Sequence, residues 1–335
     1  MGVGSWELEL GVGSFGTLHG VPSITSDISY IDLNFCNSPR AIATGVYTSD
    51  AGVALIDPGP GSCVETLRAE LARQGVGVKD IQSILLTHIH LDHAGATGLL
   101  VRDNPKIEVF VHEKGAPHVI DPTKLVNSAN QLWGVEGVAR LWGPVLPVPA
   151  SNLTVLGGGE RITAAGRALD VHYTPGHASH HVSYFDGATG IAWVGDTAGL
   201  RFGPTLFTLP PTPPPDIDLE AWAGSVAKIR AWKPETVFIT HFGPYGGAGD
   251  HLDRFEASLR EVAEMARRAL EGDDPDEAKF AKFKSAVDAY IRRSVPESET
   301  RPLEHVGPIE FNWRGLARYW RKRASAASAA SAGSA

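Results

Sequence analysis

Apolar positions in the early part of the chain come in short runs, Ile28–Asn34, Ala41–Thr48 and Gly52–Ile56, each bounded by Gly, Pro, Asn or Asp. Runs of that length and punctuation predict strands. The third stops at Asp57-Pro-Gly-Pro-Gly61, a turn sequence. From Cys63 to Gln74 the period becomes helical, with Val64, Leu67 and Leu71 on one face and Gly75 closing the segment. Ile81–Thr87 reads as a buried strand that runs straight into His88, Ala94–Val101 as the next helix and Ile107–Val111 as the strand after it. Strand patterning resumes at Ala168–Tyr173, His181–Phe185, Ile191–Val194 and Thr236–Thr240. Helical patterning returns at Leu219–Trp232, Leu252–Leu270 and Glu277–Arg293. Strands and helices interleaved in this way predict an α/β protein with layered sheets.

Three stretches lack such a period. Val126–Pro149 is expected to be irregular, with Trp133 and Trp142 in it as buried aromatics, a cap over a pocket being the alternative. The proline-rich Leu209–Asp216 is expected to be extended and stiff. The tail Ala324–Ala335 contains only Ala, Ser and Gly and is expected to be disordered. The domain reading is a core over residues 1–250, a helical extension over 251–323 packed on that core, and the tail 324–335.

Composition narrows the class without naming a function. The 335 residues are 43% hydrophobic and 20% charged, with a formal net charge of −8. That balance speaks against nucleic acid or an anionic membrane as partner, since phosphate binding draws its strength from Lys and Arg. Cys36 and Cys63 form no paired spacing, so neither a thiolate metal site nor a disulfide framework is indicated. Met1–Leu10 lacks the basic-then-apolar pattern of a signal peptide, and no apolar run is long enough to span a bilayer. A cytoplasmic protein acting on a small molecule is expected.

The chemistry concentrates in Thr87-His88-Ile89-His90-Leu91-Asp92-His93. If His88 ends a strand, His88 and His90 point the same way, and Asp92 and His93 follow at the turn into a helix. Neutral imidazoles and a carboxylate at this density suit zinc or iron and have little structural use. Three later segments also place a His or Asp just after an apolar strand: His177 in Tyr173-Thr-Pro-Gly-His177, Asp196 in Ala192-Trp-Val-Gly-Asp196 and His241 in Phe238-Ile-Thr-His241. Ligands mounted on strand ends are held by a rigid sheet.

The order THxHxDH, TPGH, GD, TH resembles the metallo-β-lactamase superfamily, in its glyoxalase II-like and lactonase-like branch, and the motifs run from Asp57 to His241. The resemblance implies a four-layer αββα sandwich, here with an added C-terminal helical region, and two divalent metal ions, zinc first with iron or manganese as alternatives. His88, His90 and His177 would hold one ion, Asp92, His93 and His241 the other, and Asp196 would bridge them. Asp57 would orient a ligand from behind. The implied reaction is cleavage of an ester-type bond (thioester, lactone or carboxylic ester) by a hydroxide shared between cations ~3.5–4 Å apart, with Asp92 orienting the nucleophile.

The family pattern is not followed everywhere. No Tyr follows Asp196 closely, as in some lactonases, and the C-terminal basic pattern of glyoxalase II is absent. A small-molecule phosphodiesterase is the alternative, followed by a mononuclear iron sulfur dioxygenase and a weak β-lactamase. His180, Phe202 and Phe207 are candidate substrate contacts, the last two on the loop that leaves Asp196. His181 is expected beside the metals without ligating them, and His112 as a structural hydrogen-bonding residue. Trp313, Leu316 and Trp320 sit at helical spacing among basic residues, which predicts docking on the body or on a second subunit, with a homodimer as one state.

Overall fold

The computed structural model describes residues 17–18, 21–201, 205–300 and 302–333. Two six-stranded sheets carry the molecule. The first contains β1 (Ile28–Asp32), β2 (Ala43–Ser49), β3 (Gly52–Ile56), β4 (Ile81–Leu85), β5 (Glu108–His112) and β6 (Leu153–Leu156), in that spatial order. β1 to β3 pair antiparallel, and β3 to β6 run parallel. The second contains β7 (Arg161–Ala164), β8 (Arg167–Tyr173), β9 (Val182–Asp186), β10 (Ile191–Trp193), β11 (Thr236–Ile239) and β12 (Gly243–Gly246). Within it only β10 and β11 are parallel.

Side-chain alternation along each strand sorts the residues into three cores. Ala54, Ile56, Leu85 and Phe110 of the first sheet meet Val171, Tyr184, Trp193 and Phe238 of the second. Their alternates Val53, Leu55, Ile84, Val109 and Val111 face the opposite way, onto α1 (Val64–Arg73), α3 (Thr97–Asp103) and α5 (Thr123–Leu141). On the outside of the second sheet, Ala192, Val194, Val237 and Ile239 pack on α6 (Leu219–Ala231), α7 (Ala248–Ala269), α8 (Asp276–Arg292) and α10 (Ile309–Gly333). Helix, sheet, sheet, helix is the αββα sandwich. No helix among the described residues is long and apolar enough to cross a membrane.

The structure departs from the sequence expectations in several places. Val126–Pro149 is not irregular throughout: α5 runs to Leu141, and only Gly134, at φ 72°, interrupts its helical backbone. β6 and β7 are short and partly exposed, so they carry too few apolar positions to show a period. β4 stops at Leu85, so His88 and His90 lie on the irregular segment after it and not at the strand end. From Ala324 as far as Gly333 the described backbone is helical, α10 continuing into this segment on a run of Ala, the best helix former, and Ser.

The aromatic C-terminal segment docks on its own chain. Trp313, Leu316 and Ala317 share a core with Phe255 of α7 and Phe283 of α8. Gly315 permits this, since a Cβ there would lie 2.0 Å from the carbonyl oxygen of Thr212.

Candidate metal centre

Every ligand candidate follows the carboxyl end of a strand. β4 leads to His88, His90, Asp92 and His93, β8 to His177, β10 to Asp196 and β11 to His241. His90 caps the short helix α2 (Leu91–Ala94), whose first turn holds Asp92 and His93. Three triads bring their ligand atoms within 4.8 Å of one another: His88, His90 and His177; His88, His93 and Asp196; Asp92, His93 and His241.

The first triad closes tightly. His90 Nδ1 lies 2.9 Å from His88 Nε2 and 3.0 Å from His177 Nε2. Asp196 stands between the groups with one oxygen toward each. Its Oδ2 is 3.3 Å from His177 Nε2, while its Oδ1 is 3.3 Å from His93 Nε2 and 3.5 Å from His241 Nε2. Asp92 Oδ2 is 3.4 Å from His241 Nε2. Around a tetrahedral zinc with bonds near 2.0–2.1 Å, neighbouring ligand atoms lie about 3.4 Å apart, so these spacings suit the ion.

Outer partners settle which nitrogen each imidazole offers. His177 Nδ1–H donates to Pro211 O at 2.8 Å, His241 Nδ1–H to Ala41 O at 2.7 Å and His93 Nδ1–H to Asp57 Oδ2 at 2.8 Å. Each bond leaves Nε2 as an inward lone pair. Asp57 is fully buried, and its carboxylate also accepts from Thr87 N, Thr87 Oγ1 and Thr240 Oγ1 at 2.7–2.8 Å.

Three of the inward atoms, His93 Nε2, His241 Nε2 and Asp196 Oδ1, are buried with no hydrogen-bond partner. Buried polar atoms are costly when orphaned, and three carboxylates gathered among imidazoles call for positive charge. The donor set therefore fits divalent cations.

The electrostatics point the same way. Burial holds the His88 pKa well below the ordinary imidazole value, helped by neighbouring histidines, and burial brings His90 down to about 4. Both are neutral ligands at pH 7. Burial also opposes charge on His93 and His241, but the nearby carboxylates, Asp196 foremost, outweigh it and raise both. A cation seated among these atoms displaces those protons, so its binding weakens as pH falls. Burial would raise Asp92, yet His93 and His241 pull it down to about 2.

His181 Nε2 accepts from Asp196 N at 3.3 Å, and its Nδ1 meets Thr174 Oγ1 at 3.0 Å, so it braces the backbone of Asp196. Gly195, at φ 48°, makes room for it, since a Cβ there would lie only 2.7 Å from His181 Nε2.

A cavity of about 350 Å3 opens over the cluster, and His90, Asp92, His177 and Asp196 reach it. His180 lines it too. Phe207 does not: it is buried in the core beside α8, edge-on to Tyr290 at 5.2 Å. Phe207 packs inward, and among the described residues of the loop after Asp196 it is Pro211 and the run Pro213–Asp216 that face the cavity. Phe202 lies outside the described residues. His112 stacks on Tyr173 at 4.4 Å and its Nδ1 accepts from Lys114 N. Sequence reasoning missed Thr87 and Thr240, the donors to Asp57, and the carbonyls of Ala41 and Pro211. The threonines abut the motifs and were within reach; backbone carbonyls carry no residue signal.

The family model of the metallo-beta-lactamase superfamily matches residues 38–241. A metallo-beta-lactamase fold-containing protein of Sulfurisphaera tokodaii is 29% identical over 48% of this chain and 60% of its own length. A hydroxyacylglutathione hydrolase of Buchnera aphidicola is 29% identical over 39% of this chain and 37% of its own. The chain thus spans between about a third and three fifths of these relatives. The crystal structure of an archaeal superfamily protein from Sulfolobus tokodaii superposes with a TM-score of 0.59 at 21% identity, covering 87% of this chain and 98% of that one, which shows the shared fold.

Proposed function

Since the chain belongs to the metallo-beta-lactamase superfamily, we propose that it is a binuclear metal-dependent hydrolase of an ester-type bond, a thioester, lactone or carboxylic ester. The observation that carries this reading is the split of Asp196, one carboxylate oxygen toward His177 and the other toward His93 and His241. His88, His90 and His177 would hold one ion and Asp92, His93 and His241 the other, with Asp196 shared. Five imidazoles and two carboxylates favour zinc, with iron or manganese as alternatives. When bound, such a pair supplies Lewis acidity to a carbonyl oxygen and brings the pKa of water down to about 7.

The chain's own groups do the positioning. Asp57, Pro211 O and Ala41 O fix three imidazole tautomers, and His181 holds the backbone of Asp196. Asp92 retains some exposure at the cavity and stays ionised, so it can accept a proton from the attacking water and return it to the leaving group. Two features support acyl over phosphoryl chemistry. The cavity lining is mostly apolar, and its described cations are two lysines, Lys114 and Lys124, with no arginine to grip a phosphoryl group in a bidentate fork. Several relatives are named hydroxyacylglutathione hydrolase, and that name denotes an acyl thioester.

A panel of thioesters, lactones, carboxylic esters and phosphodiesters on the zinc-loaded protein tests this. Turnover of one acyl class, lost by about 100-fold or more in Asp196→Ala, is the expected outcome. Turnover of phosphodiesters alone, or wild-type rates in that variant, would overturn it.

A further inference from the structure

The cavity over the metal ligands has two chemically different ends. One wall is a single face of α5, with Lys124, Leu125, Ser128, Ala129, Leu132 and Trp133 at helical spacing. Lys124 and Trp133 are nine residues apart, about 13 Å along the helix axis. The Trp133 end is aromatic. Trp133 meets Phe311 edge-on at 4.7 Å and Trp142 at 5.3 Å, and Trp142 stacks on Phe35. Phe311 of α10 and His305 of the short helix α9 (Leu303–Val306) come from the C-terminal segment, outside the residues that the family model matches. The family's shared core therefore does not build this end by itself.

The opposite end is polar and biased toward positive charge. The short helix α4 (Ala116–Ile120) leads into the start of α5, and with the turn before it brings Lys114, which donates to Tyr173 Oη at 2.8 Å, and His118 to the same lining as Lys124. Besides the ligands Asp92 and Asp196, Asp216 is the one carboxylate among the described lining residues. Ser179 Oγ donates to it at 2.6 Å.

We propose that the site takes an amphipathic carboxylate. An aromatic or similarly bulky apolar group lies against Trp133, Trp142 and Phe311, the labile carbonyl sits over the metal ligands, and the carboxylate lies at Lys124. This rests on the ester-type reading above and narrows it. The cavity volume of about 350 Å3 falls in the range of sites for small organic ligands. Its length along α5 matches a molecule whose two ends differ in polarity. An aromatic ring buried against three others contributes both transfer free energy and favourable ring geometry. Lys124 is exposed, so its charge adds a smaller increment.

Titration calorimetry on the zinc-loaded protein separates the two ends without requiring turnover. 4-Phenylbutyrate should bind about tenfold or more tightly than butyrate, and a few-fold more tightly than 4-phenylbutan-1-ol. Phe311→Ala should remove the advantage of the ring, and Lys124→Glu that of the carboxylate, with metal content unchanged. Trp133→Ala, at a half-buried position, replaces Phe311→Ala if the latter does not fold. Equal affinity for butyrate and 4-phenylbutyrate overturns the aromatic end. Undiminished 4-phenylbutyrate binding in Lys124→Glu overturns the anionic end. Hydrolysis of acetyl and phenylacetyl thioesters by the same protein keeps the two claims apart. If the binding pattern holds and neither thioester is cleaved, the ester reading fails and the ligand class stands. If both are cleaved equally and the acids bind alike, the reverse follows.

Discussion

Asp57 shows how much of the centre depends on a residue that reaches no metal position. Its carboxylate takes four hydrogen bonds from Thr87, Thr240 and His93 while fully buried. Asp57→Ala removes the acceptor that sets the His93 tautomer, and metal affinity should fall about 10–100-fold. Competition against a chelator of known affinity checks this, and unchanged affinity would deny Asp57 its orienting role. His251 offers a separate test by pH. Burial, with smaller contributions from Arg201 and Arg254, lowers its pKa from 6.5 to about 4, although its bond to Ala198 O acts the other way. The unfolded chain therefore takes up the proton first, and stability is withdrawn as pH falls from about 6.5 to about 4, by up to about 3 kcal/mol at the lower end. His251→Gln should show a shallower loss across that window in denaturant titrations; parallel curves would contradict it. The seven ligand candidates and Asp57 were legible in the sequence because side-chain type and spacing carry them. The residues that hold them were less so. His181 was expected beside the metals, but its grip on Asp196 N comes from a close approach between β9 and the turn after β10, which no local spacing records.

Among the elements, α10 and the proline strap are joined most closely. Asn312 is buried, and its Oδ1 accepts from Thr212 N at 2.8 Å. The neighbouring Pro211 carbonyl accepts from His177 Nδ1. A helix beyond the family's matched region thus supports a backbone carbonyl that orients a ligand candidate. Asn312→Ala should lower metal affinity a few-fold and cost about 1–3 kcal/mol of stability, since it leaves Thr212 N unpaired. A loss of stability with metal affinity unchanged would confine Asn312 to packing. The sequence pattern showed α6, α7 and α8 because their apolar faces recur at helical spacing. It hid α5, where Gly134 and Gly137 interrupt the pattern and the inward face is divided between the core, at Val138 and Leu141, and the cavity, at Leu125 and Leu132. The strap was expected to be extended, and its role as a wall follows only from where α10 lies.

Across the whole molecule, three apolar cores stack two sheets between two helical layers, and the ligand-bearing segments leave the carboxyl ends of their strands toward one place. The ligand atoms come from four such segments, so the centre assembles only when both sheets are in register with each other. Three carboxylates, Asp57 and Asp196 buried and Asp92 at the cavity edge, are then brought among five imidazoles, an arrangement that costs folding free energy until cations neutralise it. Alternation in the strands made the layered α/β class legible, whereas the pairing of the sheets depends on contacts far apart in sequence, such as Tyr47 with Trp193. A binuclear centre, as proposed above, should fill with two ions. Elemental analysis of the folded protein, saturated with zinc and then freed of excess metal, measures this directly. Close to two zinc ions per chain are expected; one ion or fewer at saturation would contradict the binuclear reading.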